Sequence, residues 1–302
     1  MTDRAVRALA AIDPTALFGQ WREIIGPPSD QLGDDAAAGL AALKRGTQPT
    51  ARQMQALELA IRLLRPSVLV RDGQVETLNG PPADAFPVWE TFRKTVEPYL
   101  TVVGRVDRVG GGALPAGPVA TAFLIAPGLV VTNRHVVDEL TLGTGRLVRG
   151  QAVIRFGQQY ERGAEPPPVK IAAVHATHPD LDIAVLRLAA EPNLGDPIPL
   201  SGDTDAEDVA VVGYPLEPER VPPFVRAQFG DHFNVKRVAP GQIMKRVDDL
   251  MHHDCTTLPG NSGSPVLSLD GAHFVGVHSG GYFLARNTAI TGNRLTDFLG
   301  AL

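Results

Sequence analysis

From residue 51 to 64 the apolar positions Met54, Leu57, Ile61 and Leu64 recur at helical spacing, and Thr50 with Gln53 forms a capping box ahead of them. The pattern predicts an amphipathic helix with a defined start. Shorter helices are predicted over residues 16–25 and 36–44, separated by the breaker-rich segment GPPSDQLGDD. In SVLVRDGQVETL two β-prone runs flank Asp72-Gly73, which predicts a tight hairpin. After the NGPP turn, Trp89, Phe92 and Val96 fall on one face of a further short helix. Residues 1–98 therefore read as a mixed, mostly helical appendage.

From about residue 99 the pattern changes to short β-prone runs broken by glycine and proline: TVVGRV, TAFLIA, LVVT, AVIRF, VKIAAVHAT, DIAVLRL, DVAVVGY, SPVLSL and HFVGVH. Many short strands with such punctuation predict a mainly β, antiparallel sandwich or barrel over residues 99–302. The end of the chain reads as a helix capped by Thr291. The 31 glycines and 26 prolines suit a chain rich in turns. A net charge of −5 offers no basic footprint for nucleic acid. One cysteine, Cys255, excludes an intramolecular disulfide and points to a reducing compartment. No apolar run of signal-peptide or membrane-span length is present, so the expectation is a soluble, cytoplasmic protein with no membrane partner.

The candidate chemistry is concentrated in three places. PGNSGSPV supplies an exposed hydroxyl, Ser262, bracketed by Gly260 and Gly263, so that the chain can turn and aim the amides of Gly260 and Ser262 at one point. Such a turn suits a nucleophile with an oxyanion hole. Two further segments are LVVTNRHVV, with His135, and DLDIAVLRL, with Asp182 and its rival Asp180. Together the three resemble the nucleophile, histidine and aspartate segments of trypsin-like serine peptidases, in the chymotrypsin order His, Asp, Ser. The nearest motifs are those of bacterial glutamyl endopeptidases and HtrA-like peptidases. The resemblance implies two six-stranded antiparallel barrels with a boundary near residues 190–205, a catalytic triad of His135, Asp182 and Ser262, and an oxyanion hole of Gly260 and Ser262. It chooses Asp182 because the family's aspartate directly precedes the IAVL-type strand. It implies no metal or organic cofactor.

Two glycines usual before the family's histidine are replaced by Ala120 and Ala122, which bears on packing more than on chemistry. Ile24-Ile25-Gly26 resembles an activated zymogen terminus but lies far before His135, and reads as a helix end and turn. His252, His253, Asp254 and Cys255 are metal-ligand types, yet neighbours on a strand face opposite ways and cannot converge on one ion. Cys255 reads as a buried thiol. The resemblance places the S1 pocket between CTTLP and GVHSGG, with Thr257, His278, Ser279 and Gly280 contacting substrate. Thr256 stands where preference for a basic residue requires a carboxylate; Thr257 and His278 match the pair that binds an acidic side chain in a glutamyl endopeptidase. The expected partner is a protein or peptide substrate, with the N-terminal region a candidate for recruiting or activating contacts. The alternative is a catalytically silent member of the fold that only binds peptides or partners.

Overall fold

The structure, a computed structural model, describes residues 9–10, 12–110, 115–147, 151–161, 163–200, 205–282 and 286–302. The N-terminal region holds α1 (Pro14–Gly19), α2 (Arg22–Ile25), α3 (Pro28–Lys44) and α4 (Ala51–Leu63), the hairpin β1 (Val68–Arg71) and β2 (Gln74–Val75), then α5 (Pro81–Ala85) and α6 (Trp89–Leu100). The capping box forms as the sequence predicts: Gln53 N donates to Thr50 Oγ1 at 3.3 Å and Thr50 N to Gln53 Oε1 at 2.9 Å. Asp72 and Gly73 adopt φ of 47° and 81°, the left-handed pair that a two-residue hairpin needs. Only Gly26 and Pro27 of the segment GPPSDQLGDD separate helices, because α3 starts inside it at Pro28. Proline in a first turn lacks only an N–H that has no helical partner. Gly33 and Gly39 are contact points within α3: a Cβ at Gly33 would lie 3.0 Å from Thr15 Cα, and one at Gly39 2.9 Å from a Leu57 methyl.

The first barrel comprises β3 (Val103–Arg108), β4 (Gly117–Ala126), β5 (Leu129–Thr132), β6 (Ala152–Arg155), β7 (Val169–Thr177) and β8 (Ala184–Leu188), with α7 (Arg134–Thr141) following β5. It closes in the order β3-β4-β5-β8-β7-β6. The second comprises β9 (Asp208–Gly213), β10 (Arg237–Val247), β11 (Leu250–His253), β12 (Pro265–Ser268), β13 (Phe274–Tyr282) and β14 (Arg286–Thr291), with α8 (Pro223–Phe229) between β9 and β10 and α9 (Gly292–Gly300) at the end. Its strands run β11-β14-β13-β12-β9-β10, and pairing of β10 with β11 closes it. These are two closed six-stranded antiparallel barrels, the chymotrypsin-like architecture.

The N-terminal region is built onto both barrels. β1 pairs with β10, Val68 opposite Val238 and Leu69 opposite Arg237, so the hairpin extends the second barrel's sheet. Trp89, Phe92, Val96 and Leu100 of α6 join the same core as the first-barrel residues Phe123, Val131 and Ile154. Lys236, fully buried, donates from Nζ to Leu100 O and Phe156 O, tying the end of α6 to the first barrel. The helices α1, α3 and α4 share a core of their own around Phe18, Leu40 and Leu57.

Candidate active site

His135 lies in the first turn of α7, directly after β5. One carboxylate serves it twice: Asp182 Oδ1 accepts from the His135 amide at 2.9 Å, and Asp182 Oδ2 lies 2.7 Å from the ring Nδ1. Asp182 thus satisfies an otherwise unpaired helix N-terminal amide and fixes the ring's orientation together. The loop bearing Asp182 is braced from the same turn, since Asn133 Nδ2 donates to Asp182 O at 2.8 Å and Arg134 donates to His178 O at 3.1 Å and Pro179 O at 2.5 Å. Asp180 is not part of this arrangement; its amide donates to His178 Nδ1 at 3.1 Å and its side chain stays outside. The hydrogen bond to Asp182, opposed by burial and aided by the carboxylate's charge, raises the His135 pKa. Burial pushes the Asp182 carboxyl upward, but the His135 ring and amide, with the charges of His135 and Arg134, hold it below the ordinary value.

Ser262 is carried by a loop that the first barrel grips. Thr121 of β4, fully buried, donates from its amide to Ser262 O at 2.9 Å and from Oγ1 to Gly260 O at 2.8 Å. Thr132, three residues before His135, donates from its hydroxyl to Thr121 O at 2.8 Å. Gly260 and Gly263 have φ of 94° and 83°, and a Cβ on Gly263 would lie 2.2 Å from Thr121 O and 2.4 Å from Thr132 Oγ1. Only glycine permits this turn against that strand. Among the described residues neither the Gly260 nor the Ser262 amide donates to another protein group. Both remain available to a ligand oxygen. The Ser262 hydroxyl and the His135 ring are not hydrogen-bonded to each other.

The residues that the sequence assigns to substrate binding belong to β13 and to the segment before Ser262. His278 is buried, its carbonyl accepts from the Gly263 amide at 2.9 Å, and its Nδ1 lies 3.0 Å from His253 Nε2. Burial, with the charge of His135, pushes the His278 pKa down to about 3. Burial, helped by His278 and Arg62, also keeps His253 neutral. Ser279 donates to Thr288 O at 3.1 Å, and a Cβ at Gly280 would meet open space. Thr257 is buried. Thr256 is turned away, its hydroxyl donating to Arg65 O at 2.6 Å. The side chains of the candidate metal cluster diverge: His253 goes to His278, Asp254 to Arg65, and Cys255 is a free, buried thiol whose pKa burial pushes upward.

Asn133 and Arg134 belong to the histidine motif, but Thr121, Arg62 and Arg65 reach the segment around Ser262 without a local motif to announce them. Their partners lie on other elements, and for Arg62 and Arg65 almost two hundred residues away in the chain.

A family model of the trypsin-like peptidase domain matches residues 120–277, more than half of the sequence and all three of His135, Asp182 and Ser262. A probable serine protease of Lysobacter enzymogenes is 29% identical, across 90% of this chain and 81% of that protein. Among solved structures, the Rv3671c protease of M. tuberculosis is similar in its inactive, serine-to-alanine form with a TM-score of 0.47 and 18% identity, over 68% of this chain and 89% of that one. Its active form gives a TM-score of 0.46 and 19% identity, over 68% and 82%. The match to the family model is borne by the strands and loops that hold the candidate site, and the chain belongs to the trypsin-like peptidase family, a serine endopeptidase by class.

Proposed function

We propose that the protein hydrolyses peptide bonds through a triad of Ser262, His135 and Asp182, with preference for an acidic side chain before the scissile bond. The observation that carries the reading is the Asp182 carboxylate holding both the His135 ring and its amide, beside a serine loop pinned to Thr121. Ser262 Oγ attacks the substrate carbonyl while His135 Nε2 takes its proton. The oxyanion accepts hydrogen bonds from the Gly260 and Ser262 amides, and Asp182 stabilises the imidazolium. Collapse expels the amine, which receives the proton from His135, and leaves an acyl-enzyme that water hydrolyses by the same route in reverse.

The acidic preference is supported by what surrounds the pocket segment. Preference for a basic residue lacks its carboxylate, because Thr256 faces Arg65 and the Asp254 carboxylate pairs with Arg65 and the Gln242 amide. His253 Nδ1 is buried without a partner. An unpartnered lone pair is less costly there than an unpartnered N–H, so the proton belongs on His253 Nε2, which then donates to His278 Nδ1. The His278 proton is left on Nε2, a neutral donor suited to a carboxylate, with the Thr257 hydroxyl as the second donor of this reading. Profiling the purified protein on a proteome-derived peptide library tests this: cleavage after Glu that Ser262→Ala abolishes and His278→Ala selectively weakens is expected. Cleavage only after Leu, Ala or Val would overturn the preference, and turnover unaffected by Ser262→Ala would overturn the mechanism.

A further inference from the structure

A pocket that binds a carboxylate gains from a positive charge close by, since a neutral histidine and a hydroxyl offset only part of the cost of taking the anion out of water. The N-terminal region brings two buried guanidinium groups to the back of the segment before Ser262. Arg62, at the end of α4 and 6% exposed, donates from one terminal nitrogen to Asp254 O at 2.6 Å and Cys255 O at 3.1 Å. Cys255 O also accepts from Asn287 Nδ2 at 2.6 Å, and Asn287 stands opposite both Gly281 on β13 and His253 on β11. The Arg62 group therefore lies behind the main chain at residues 254 and 255, the start of the segment proposed above as the pocket floor. Gln228 of α8 holds Arg62 from the other side, donating to its carbonyl at 2.6 Å.

The charge count at this floor is unbalanced. Arg65 forms an ion pair with Asp254 and donates to Gln242 Oε1 at 2.9 Å. Asp254 is committed there, and its second oxygen accepts from the Gln242 amide at 2.7 Å. The hydrogen bonds of Arg62 go to carbonyl oxygens, and no carboxylate lies within ion-pair distance of it among the described residues. Two buried guanidinium groups thus share one buried carboxylate, Asp254, which acts on both, while the Glu58 carboxylate one turn back on α4 is exposed and screened by solvent.

We propose that Arg62 is a specificity-determining residue, its charge, only partly offset by the shared Asp254 and the exposed Glu58, giving the S1 pocket the positive potential that selects an acidic side chain. The proposal rests on the acidic preference argued above and names the source of its charge in the helical N-terminal region. Arg62 acts from behind the pocket wall through the field, while His278 and Thr257 make the contacts. Asp254 tunes the same field in the opposite direction.

The test is the ratio of kcat/KM for two peptides that differ only in Glu or Gln before the cleaved bond. Arg62→Gln, which keeps a donor for the Asp254 and Cys255 carbonyls, is expected to lower the Glu-to-Gln ratio about tenfold or more, as removal of a nearby full charge at an effective dielectric near 20 requires. Arg62→Lys is expected to retain most of the ratio. Asp254→Asn, which leaves the floor more positive, is expected to raise it, and decides the question if Arg62→Gln does not fold by circular dichroism. A ratio unchanged in folded Arg62→Gln, or unchanged or lowered in Asp254→Asn, overturns the role of Arg62 while leaving the acidic preference standing. A wild-type protein that does not prefer Glu over Gln overturns both.

Discussion

At the residue scale the site depends on a few side chains that each do two jobs. Asp182 caps α7 and orients His135, so Asp182→Ala is expected to reduce kcat by about ten-thousandfold, less than the roughly millionfold loss expected for His135→Ala, with Asp180→Ala nearly neutral. Equal losses for Asp180→Ala and His135→Ala would contradict the assignment. The base must be neutral to accept the serine proton, and its pairing with Asp182 raises its pKa. kcat/KM is therefore expected to climb with pH through a midpoint above the ordinary histidine value, and Asp182→Asn is expected to move that midpoint down. A midpoint below the ordinary value in the wild type would contradict the pairing. Thr121 holds the Ser262 loop and accepts from the Tyr214 amide at 3.1 Å. Thr121→Val is expected to cost about 2 kcal/mol in a denaturant melt, by stranding buried groups, and about a hundredfold in kcat, by loosening the loop.

At the element scale, the reading of helices and strands from the sequence succeeded where one period ran without interruption. The capping box, the Asp72-Gly73 hairpin and the Trp89, Phe92, Val96 face are local statements, and the structure forms each of them. β10 and β14 carried no such signal. In β10, Pro240-Gly241 breaks the pattern, but the strand continues because Pro240 stands where its partner on one edge changes from β1 to β11, so the absent N–H is not missed. Gly241 is there because a Cβ would lie 2.5 Å from the Cys255 amide nitrogen. The candidate site was legible for the same reason as the helices: GNSGSPV, TNRH and DLDIAVLRL are contiguous strings. Thr121, Arg62 and Arg65 matter through partners far away in sequence, and no short window contains both halves of such a contact. Lys236 belongs with them. Lys236→Met is expected to cost about 3 kcal/mol, since the carbonyls of Leu100 and Phe156 would lose a charged donor; an unchanged thermal midpoint would show the bridge to be dispensable.

At the scale of the whole molecule, the N-terminal region is part of the peptidase framework. β1 extends the second barrel, α6 contributes to the first barrel's core, and Arg62 and Arg65 back the segment that precedes Ser262. A chain beginning at residue 67 would leave Asp254 buried without its ion pair and Thr256 without its acceptor. Such a truncation is expected to lose cooperative unfolding or to precipitate, and a fragment as stable and active as the full chain would contradict this integration. The central claim, that Ser262 is an activated nucleophile in the intact protein, is tested most directly by incubating the folded full-length chain with a fluorophosphonate probe and mapping the adduct by mass spectrometry. Covalent modification confined to Ser262, absent from Ser262→Ala and strongly slowed in His135→Ala, is the expected result; a folded protein that stays unmodified, or that is modified at another serine, would contradict it.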